Sequence, residues 1–343
     1  MKVVQLTNPE RIEVKDVPAR REAEPFELLL APRLVGLTGV DALRFRKGAP
    51  LANGFRQPHI PGSEFVARVA SVGRGVDARF EGARVVADPV SPCLHCEWCR
   101  RGAAHLCPNS RMLGRPPVHG ALQERFAWPA SQCVVVPDSI PDEQAVMLVP
   151  LSLAIHIVDH ATLPVMGSAV VLGCGSLGLL LIQVLRTSGA GEILAIDPLA
   201  YRREAALEHG ATIAMEPAHA EEAIRGWPLG GADVVIDVSN ASEASRQAVS
   251  LARAGGRVLL GGIPADNRVL FGANDARQKE LTIQFVRRPH NALGRATDLL
   301  RSGRLDGIER IVTHRFPLAE IAEAHRLMRS MNEQVMKVVV EVG

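Results

Sequence analysis

Residues 168–178 read SAVVLGCGSLG, a short apolar strand closed by Gly173-Cys174-Gly175-Ser176-Leu177-Gly178, and the helical run LLLIQVLRTS follows at once. A lone G-x-G-x-x-G carries little weight. This one ends a strand, opens a helix and precedes a second strand, EILAID, whose last residue is Asp197, nineteen residues beyond Gly178. In that setting the three glycines do different things. Gly173 makes the tight turn, Gly175 admits backbone to a pyrophosphate, and Gly178 lets helix and strand pack closely. The helix opens at Ser176 and Leu177, whose free N–H groups face the phosphates. Asp197 accepts hydrogen bonds from the adenosine ribose hydroxyls and repels a 2′-phosphate, which favours NAD over NADP. Arg202 joins the cofactor set, and with Arg203 it is the counterweight, since an arginine there can meet a phosphate.

Outward from this turn the chain alternates strand and helix. SAVVLG, EILAID, TIAM, DVVIDVS and GRVLLGG are short apolar runs, and the segments between them are helical in composition. Such alternation predicts a parallel, doubly wound sheet in an α/β domain. The first third differs. IEVKDV, ELLLAPRLVGL, EFVARVASVG, ARVVAD and CVVVP are β-branched runs divided by Gly, Pro and Asp, so it reads as β structure. A helical stretch begins after Pro137, and the last forty or so residues can extend the α/β domain or return to the β domain.

Composition excludes several classes. The chain has 343 residues, 47% hydrophobic and 22% charged, with a net charge of +2, a globular profile with room for two domains. Basic residues are scattered in pairs such as Arg100–Arg101 and Arg287–Arg288, which does not make a nucleic-acid stripe. Charges in MKVVQLTNPERIEV stand where a signal peptide has its apolar core. Residues 163–185 carry no charge and are long enough to span a bilayer, but no basic flank or second span accompanies them, and a buried strand and helix account for them. The expectation is a cytoplasmic protein with no membrane and no nucleic-acid partner.

Four of the six cysteines lie together: Cys93, Cys96, Cys99 and Cys107, spaced C-x2-C-x2-C-x7-C. Four thiolates in one loop make a closed tetrahedral site, and zinc is its natural occupant. With no open position, that metal holds a loop and does no chemistry.

A β-rich first third, a four-cysteine lobe near residue 100 and a dinucleotide-binding second half resemble the medium-chain zinc alcohol dehydrogenases, above all their polyol and threonine dehydrogenase branch. The resemblance covers essentially the whole chain. It implies a GroES-like catalytic domain over 1–150 with the zinc lobe at about 90–110, a Rossmann NAD-binding domain over 151–290, and a segment over 291–343 that returns to the catalytic domain. It also implies a homodimer or homotetramer and a small-molecule substrate.

The resemblance further implies a second, catalytic zinc, and here the sequence departs. The family's G-x-C-G-[ST]-D-x-H stretch is Gly36-Leu37-Thr38-Gly39-Val40-Asp41-Ala42-Leu43, so Thr38 replaces the cysteine ligand, and Val40 and Leu43 replace the proton-relay hydroxyl and histidine. The G-H-E ligand stretch reads Gly62-Ser63-Glu64, and the E-P-L stretch reads Val149-Pro150-Leu151. Two hydroxyls and an isopropyl group do not assemble a thiolate–imidazole zinc site, so one structural zinc and no catalytic zinc are expected.

Without that Lewis acid a carbonyl needs another proton donor. Tyr201, the single tyrosine, lies on the adenosine side. Thr38, Asp41, Ser63 and Glu64 match the old zinc site: the hydroxyls can donate to a carbonyl oxygen, and a partly buried Glu64 can act as acid. Glu64 and Asp41 also suit a purely scaffolding role. His59 and His156 read better as loop and packed histidines, while Phe45, Phe55, His119, Arg287 and His290 are pocket-lining candidates. Three functions follow: zinc-independent NAD-linked oxidation or reduction of a polyol- or sugar-like substrate, reduction of an activated C=C or C=N bond, and NAD binding without turnover.

Overall fold

The computed structural model describes residues 1–343 apart from 9, 21, 48–57, 263, 265–267 and 331–333. The chain forms two compact units. One comprises Met1–Val149, Leu293–Arg301 and Ile308–Gly343, and the other Pro150–Ala292 with Ser302–Gly307.

The second unit is built on a six-stranded parallel sheet. Its order is Ile213–Met215, Glu192–Ile196, Ser168–Leu172, Ala232–Asp237, Ala252–Leu260 and Thr282–Phe285. The apolar runs explain this topology. Ala169, Val170, Val171 and Leu172 are each no more than 2% exposed, as are Ile193 to Ile196 and Val234 to Ile236. Strands buried on both faces need helices on both faces, which right-handed crossovers supply. Strand order reverses between Ser168–Leu172 and Ala232–Asp237, so a crevice opens at their carboxyl ends, where such sheets bind ligands.

The first unit is a seven-stranded sheet. Its main path runs Val312–Pro317, Lys337–Glu341, Glu27–Gly36, Glu64–Val72, Arg84–Ala87 and Cys133–Val135, with Phe126–Pro129 also paired to Glu27–Gly36. The C-terminal strand thus lies beside a strand from the first forty residues, in register Val339↔Gly36 and Val340↔Val35. Pro32, which cannot donate to a ladder, sits at a register shift between Pro32 and Leu34. Core side chains on these strands include Leu28, Leu30, Val35, Phe65, Ala67, Val85, Val338 and Val340.

Two features were not foreseen. Lys2–Asn8 pairs with the expected strand at Arg11–Asp16 in an antiparallel hairpin, and Gly39–Lys47 is a helix where the reading above has a ligand motif. No helix among the described residues is long and apolar enough to cross a membrane.

Candidate functional site

The glycine turn is built as its spacing demands. Gly173 has φ +94°, and a Cβ on it would lie 3.0 Å from the Ser239 backbone. A Cβ on Gly178 would sit 1.9 Å from the Gly173 carbonyl oxygen, so only glycine fits there, whereas nothing lies within 4 Å of the Gly175 position. Gly175 is the N-cap of the Ser176–Thr187 helix and offers no side chain to its first amides, and Ser176 and Leu177 are half-buried. Free amides beside open space fit a pyrophosphate.

Asp197 closes the turn. Its Oδ2 accepts from the Cys174 amide at 2.9 Å and its Oδ1 from the Leu199 amide at 3.0 Å. Arg202 Nη1 lies 3.6 Å from Asp197 Oδ2, and its guanidinium stands 5.7 Å from the Tyr201 ring centroid. Arg203 turns away, donating to the Asp197 and Pro198 carbonyls and pairing with Glu216. Of the two arginines, only Arg202 is thus brought to the Asp197 carboxylate.

The cysteine lobe is the one place among the described residues where His, Cys, Asp and Glu ligand atoms cluster closely enough for a metal, with all four Sγ atoms within 4.8 Å of one another. The Cys96–Cys99 and Cys93–Cys107 sulfurs are each 3.5 Å apart, and Cys96–Cys107 are 3.8 Å apart. Zn–S bonds of about 2.3 Å in a tetrahedron place sulfurs roughly 3.7 Å apart, so the set fits zinc. The thiols resist joint ionisation without a cation. Hydrogen bonding from the His95 backbone draws Cys93 down to about 6, while burial and neighbouring sulfurs push Cys99 up to about 12. Thiolates held together are stabilised by the divalent ion itself.

The third cluster lies at the head of the first unit's sheet. Thr38 Oγ1 accepts from the Asp41 amide at 3.1 Å, and Asp41 Oδ2 accepts from the Thr38 amide at 3.0 Å. This reciprocal pattern is a capping box, and it starts the Gly39–Lys47 helix. The Thr38 hydroxyl also donates to Asp41 Oδ2 at 2.7 Å. Its proton is engaged inside the cap and does not point to a ligand. Asp41 is 2% exposed.

Ser63 enters the Glu64–Val72 strand behind a backbone-on-backbone contact. Gly62 has φ +99°, and a Cβ on Gly120 would lie 2.3 Å from the Gly62 and Pro61 carbonyl oxygens. Ser63 is half-buried, and its hydroxyl has no partner among the described residues. Glu64 is directed to Lys337: Nζ donates to Glu64 Oε2, with side-chain exposures of 14% for Glu64 and 3% for Lys337. Burial raises the Glu64 pKa above the usual carboxylate range, and the Lys337 ammonium opposes that rise. Val149, 8% exposed, has no donor atom in its side chain. The donor set at these positions does not suit a catalytic zinc.

Of the remaining pocket candidates, Phe45 is 3% exposed and stacks on His325 with ring centroids 4.9 Å apart, so it is a core residue. Phe55 lies outside the described residues. His59 is buried, with Nε2 2.9 Å from the Gly114 carbonyl oxygen, and its ring stacks with His119. His156 packs edge-on against His160 within the Leu148–Ala161 helix. Arg287 is exposed, and His290 is half-buried with Nε2 3.3 Å from Asn291 Nδ2. Sequence reasoning missed Lys337 and His325, which come from the other end of the chain and carry no local motif.

The fold and the three clusters define a class, and comparison with known proteins agrees. Residues 24–138 match the alcohol dehydrogenase GroES-like domain, and residues 176–302 match the zinc-binding dehydrogenase domain. The chain belongs to the medium-chain dehydrogenase/reductase family, in its alcohol dehydrogenase branch, and is a dehydrogenase/reductase. Among its relatives is L-threonine 3-dehydrogenase of Caldanaerobacter subterraneus subsp. tengcongensis, 32% identical over 92% of this chain and 90% of that protein. Sorbitol dehydrogenase of Bacillus subtilis is 28% identical over 99% and 97%. An Escherichia coli CFT073 alcohol dehydrogenase, solved in complex with the cofactor NADH, superposes with a TM-score of 0.87 at 26% identity, covering 99% of both chains.

Proposed function

We propose that this protein is an NAD(H)-dependent oxidoreductase that moves a hydride between the nicotinamide and a polyol- or sugar-like alcohol or carbonyl, with no catalytic zinc. The observation that carries this reading is the state of the former ligand positions. Thr38 is engaged as a helix cap, Val149 has no donor, and Ser63 and Glu64 are left to handle oxygen and proton. Ser63 supplies the hydroxyl that donates to the substrate oxygen, and Glu64 is the acid in reduction and the base in oxidation. The relation to sorbitol and threonine dehydrogenases supports a hydroxylated substrate.

The cofactor is bound by the Gly173–Gly178 turn, with Asp197 on the adenosine ribose. When bound, it supplies or accepts the hydride. The Asp197–Arg202 pairing supports NAD, since the guanidinium there meets a carboxylate of the chain itself. One zinc per chain, held by Cys93, Cys96, Cys99 and Cys107, supports the lobe. We further assign a homo-oligomeric, cytoplasmic protein. An edge strand, Thr282–Phe285, whose Phe285 is 69% exposed, supports association of copies.

The test is zinc per chain and NADH affinity on the purified protein, followed by NADH-coupled turnover with a panel of ketoses and polyols. One zinc, NADH binding and turnover are expected. Two zincs per chain would overturn the zinc-free assignment, and NADH binding with no turnover across the panel would overturn the substrate class.

A further inference from the structure

Glu64 lies in a buried group of four titratable side chains drawn from four elements. Asp41 is on the Gly39–Lys47 helix, Glu64 heads the Glu64–Val72 strand, Lys337 opens the Lys337–Glu341 strand, and His325 is on the Ile321–Ser330 helix. Backbone pairing brings Glu64 and Lys337 together, and the Asp41 charge acts on both Glu64 and His325. Gly36 is opposite Glu64 in register and Leu37 N–H donates to the Val338 carbonyl at 2.9 Å, while a Cβ on Gly36 would lie 2.7 Å from Lys337 Cε and 3.4 Å from Glu64 Oε2. A side chain at 36 would push the pair apart.

Charge does not balance in this group. Asp41 and Glu64 are two carboxylates, Lys337 is one ammonium, and its one hydrogen-bond partner among the described residues is Glu64. His325 is 1% exposed, and neither ring nitrogen has a hydrogen-bond partner among the described residues. Burial lowers the His325 pKa, with the Asp41 charge opposing, so the ring is neutral and adds no charge. The other charged side chains described on the neighbouring elements are engaged elsewhere or exposed. Arg33 and Arg84 are on Asp142, Arg68 on the Gly82 carbonyl, and Arg315 on Glu143 and Glu341. Arg11 and Lys15 meet Glu13, Arg326 meets Glu323, His314 bonds Thr313, and Asp16 and Glu320 are exposed. Counting the described side chains alone, the group carries one uncompensated negative charge with Glu64 ionised and is neutral with Glu64 protonated. Asp41 is already the acceptor for the Thr38 amide and hydroxyl in the helix cap.

We propose that Lys337 is the positioning residue of this site, fixing Glu64 as the holder of one exchangeable proton in the place where the family uses a metal. This deepens the proposed function and rests on it. In carbonyl reduction bound NADH would supply the hydride for the new C–H bond, while the Glu64 O–H bond breaks and its proton forms the product O–H bond. NAD+ and a Glu64 carboxylate paired with Lys337 remain, and water returns the proton to Glu64. Oxidation runs the same steps backwards.

The direct test needs no substrate. In the intact, zinc-loaded protein labelled with 13C at the glutamate carboxyls, one resonance should keep its proton above the range where the other glutamates titrate. If every glutamate titrates in the ordinary range, the proposal fails, whatever the protein turns over. Linkage gives the second readout. A carboxyl whose folded pKa is raised binds more protons in the folded state, so it lowers stability as pH rises from the unfolded pKa through the folded one. Urea unfolding at a series of pH values should show that loss in the wild type and not in Glu64→Gln, and an unchanged slope in a folded E64Q overturns the assignment. Third, for whichever ketose is reduced, the alkaline fall of kcat/KM should move to higher pH in Lys337→Met and return toward the wild-type position in Lys337→Arg. A merely structural lysine would lower activity without moving that limb. If the carboxyl titration is as expected but no ketose or other carbonyl is reduced, the proton cluster stands and the functional reading falls.

Discussion

Two places in the first unit, the cysteine lobe and the head of the sheet, are furnished in opposite ways. The lobe keeps four thiols within 4.8 Å, while the sheet head presents Thr38, Ser63 and Val149 at the ligand positions. A closed thiolate site has one use, since each sulfur serves only the ion, so losing any one undoes the loop. A pocket at the head of a sheet has backbone needs of its own. Thr38 caps a helix there, and Lys337 donates to Glu64. The hydroxyls and carboxylates at the head of the sheet are therefore integrated with the fold, whereas the lobe is separable from it.

The contrast is sharpest in metal removal. Structural zinc contributes about 10–16 kcal/mol of apparent binding free energy at neutral pH in small zinc domains. Cys96→Ser, or a strong chelator, is expected to reduce zinc from one per chain to none and to open the 93–107 loop to proteolysis. The head of the sheet should not change its metal content under any substitution of Thr38 or Ser63 to alanine. A fall in zinc in T38A or S63A would break the comparison, because it would place a metal where the structure has a helix cap. Metal analysis and limited proteolysis on the same samples read both.

Next in size is Lys337→Met. Removing one member of a buried pair costs about 3–5 kcal/mol when the other charge stays. Here Glu64 escapes part of that cost by keeping its proton to higher pH, so the loss in urea stability should be larger at alkaline than at acidic pH. A pH-independent loss would mean that Lys337 contributes through its packed stem alone.

The second unit supplies a smaller effect. Asp197→Ala removes a buried carboxylate that receives two backbone amides, and hydrogen bonds to a charged group are worth about 1.5–3 kcal/mol. NADH affinity should fall by about 10- to 150-fold in fluorescence titration, with zinc content untouched. NADPH should lose less or gain, because Arg202 is released from its carboxylate. Equal losses for both cofactors would remove the argument from Asp197 to NAD.

Legibility in the sequence followed the range of the interactions. The parallel sheet was visible because its strands are contiguous apolar runs, and the cofactor turn because its glycines answer to contacts within a few residues, as with Gly178 against Gly173. The cysteine lobe is likewise local. The Glu64–Lys337 pair spans 273 positions, and nothing near either residue announces the other. Phe45 looked like a pocket residue because its burial under His325 depends on a helix near the C-terminus. Thr38 is a different failure. T-x-x-D is a capping box in plain view, but alignment to a ligand motif drew attention to what Thr38 lacks, a thiol, and away from what its hydroxyl does.

That residue gives the smallest and most discriminating prediction. Thr38→Ala deletes the cap hydroxyl and leaves the Asp41 amide without its acceptor, a loss of about 0.5–2 kcal/mol in helix caps. Thr38→Ser, which retains the hydroxyl, should recover most of it. Urea midpoints of the two variants therefore measure the structural part alone. If T38A lowers kcat for a carbonyl substrate far more than it lowers stability while T38S restores it, the hydroxyl also serves the substrate, and the line between scaffold and site passes through Thr38. If both variants turn over normally once folded, Ser63 and Glu64 are sufficient. Thr38, at the position where the resemblance puts a metal ligand, is then a helix cap and nothing more, and the backbone there has its own use for a small hydroxyl.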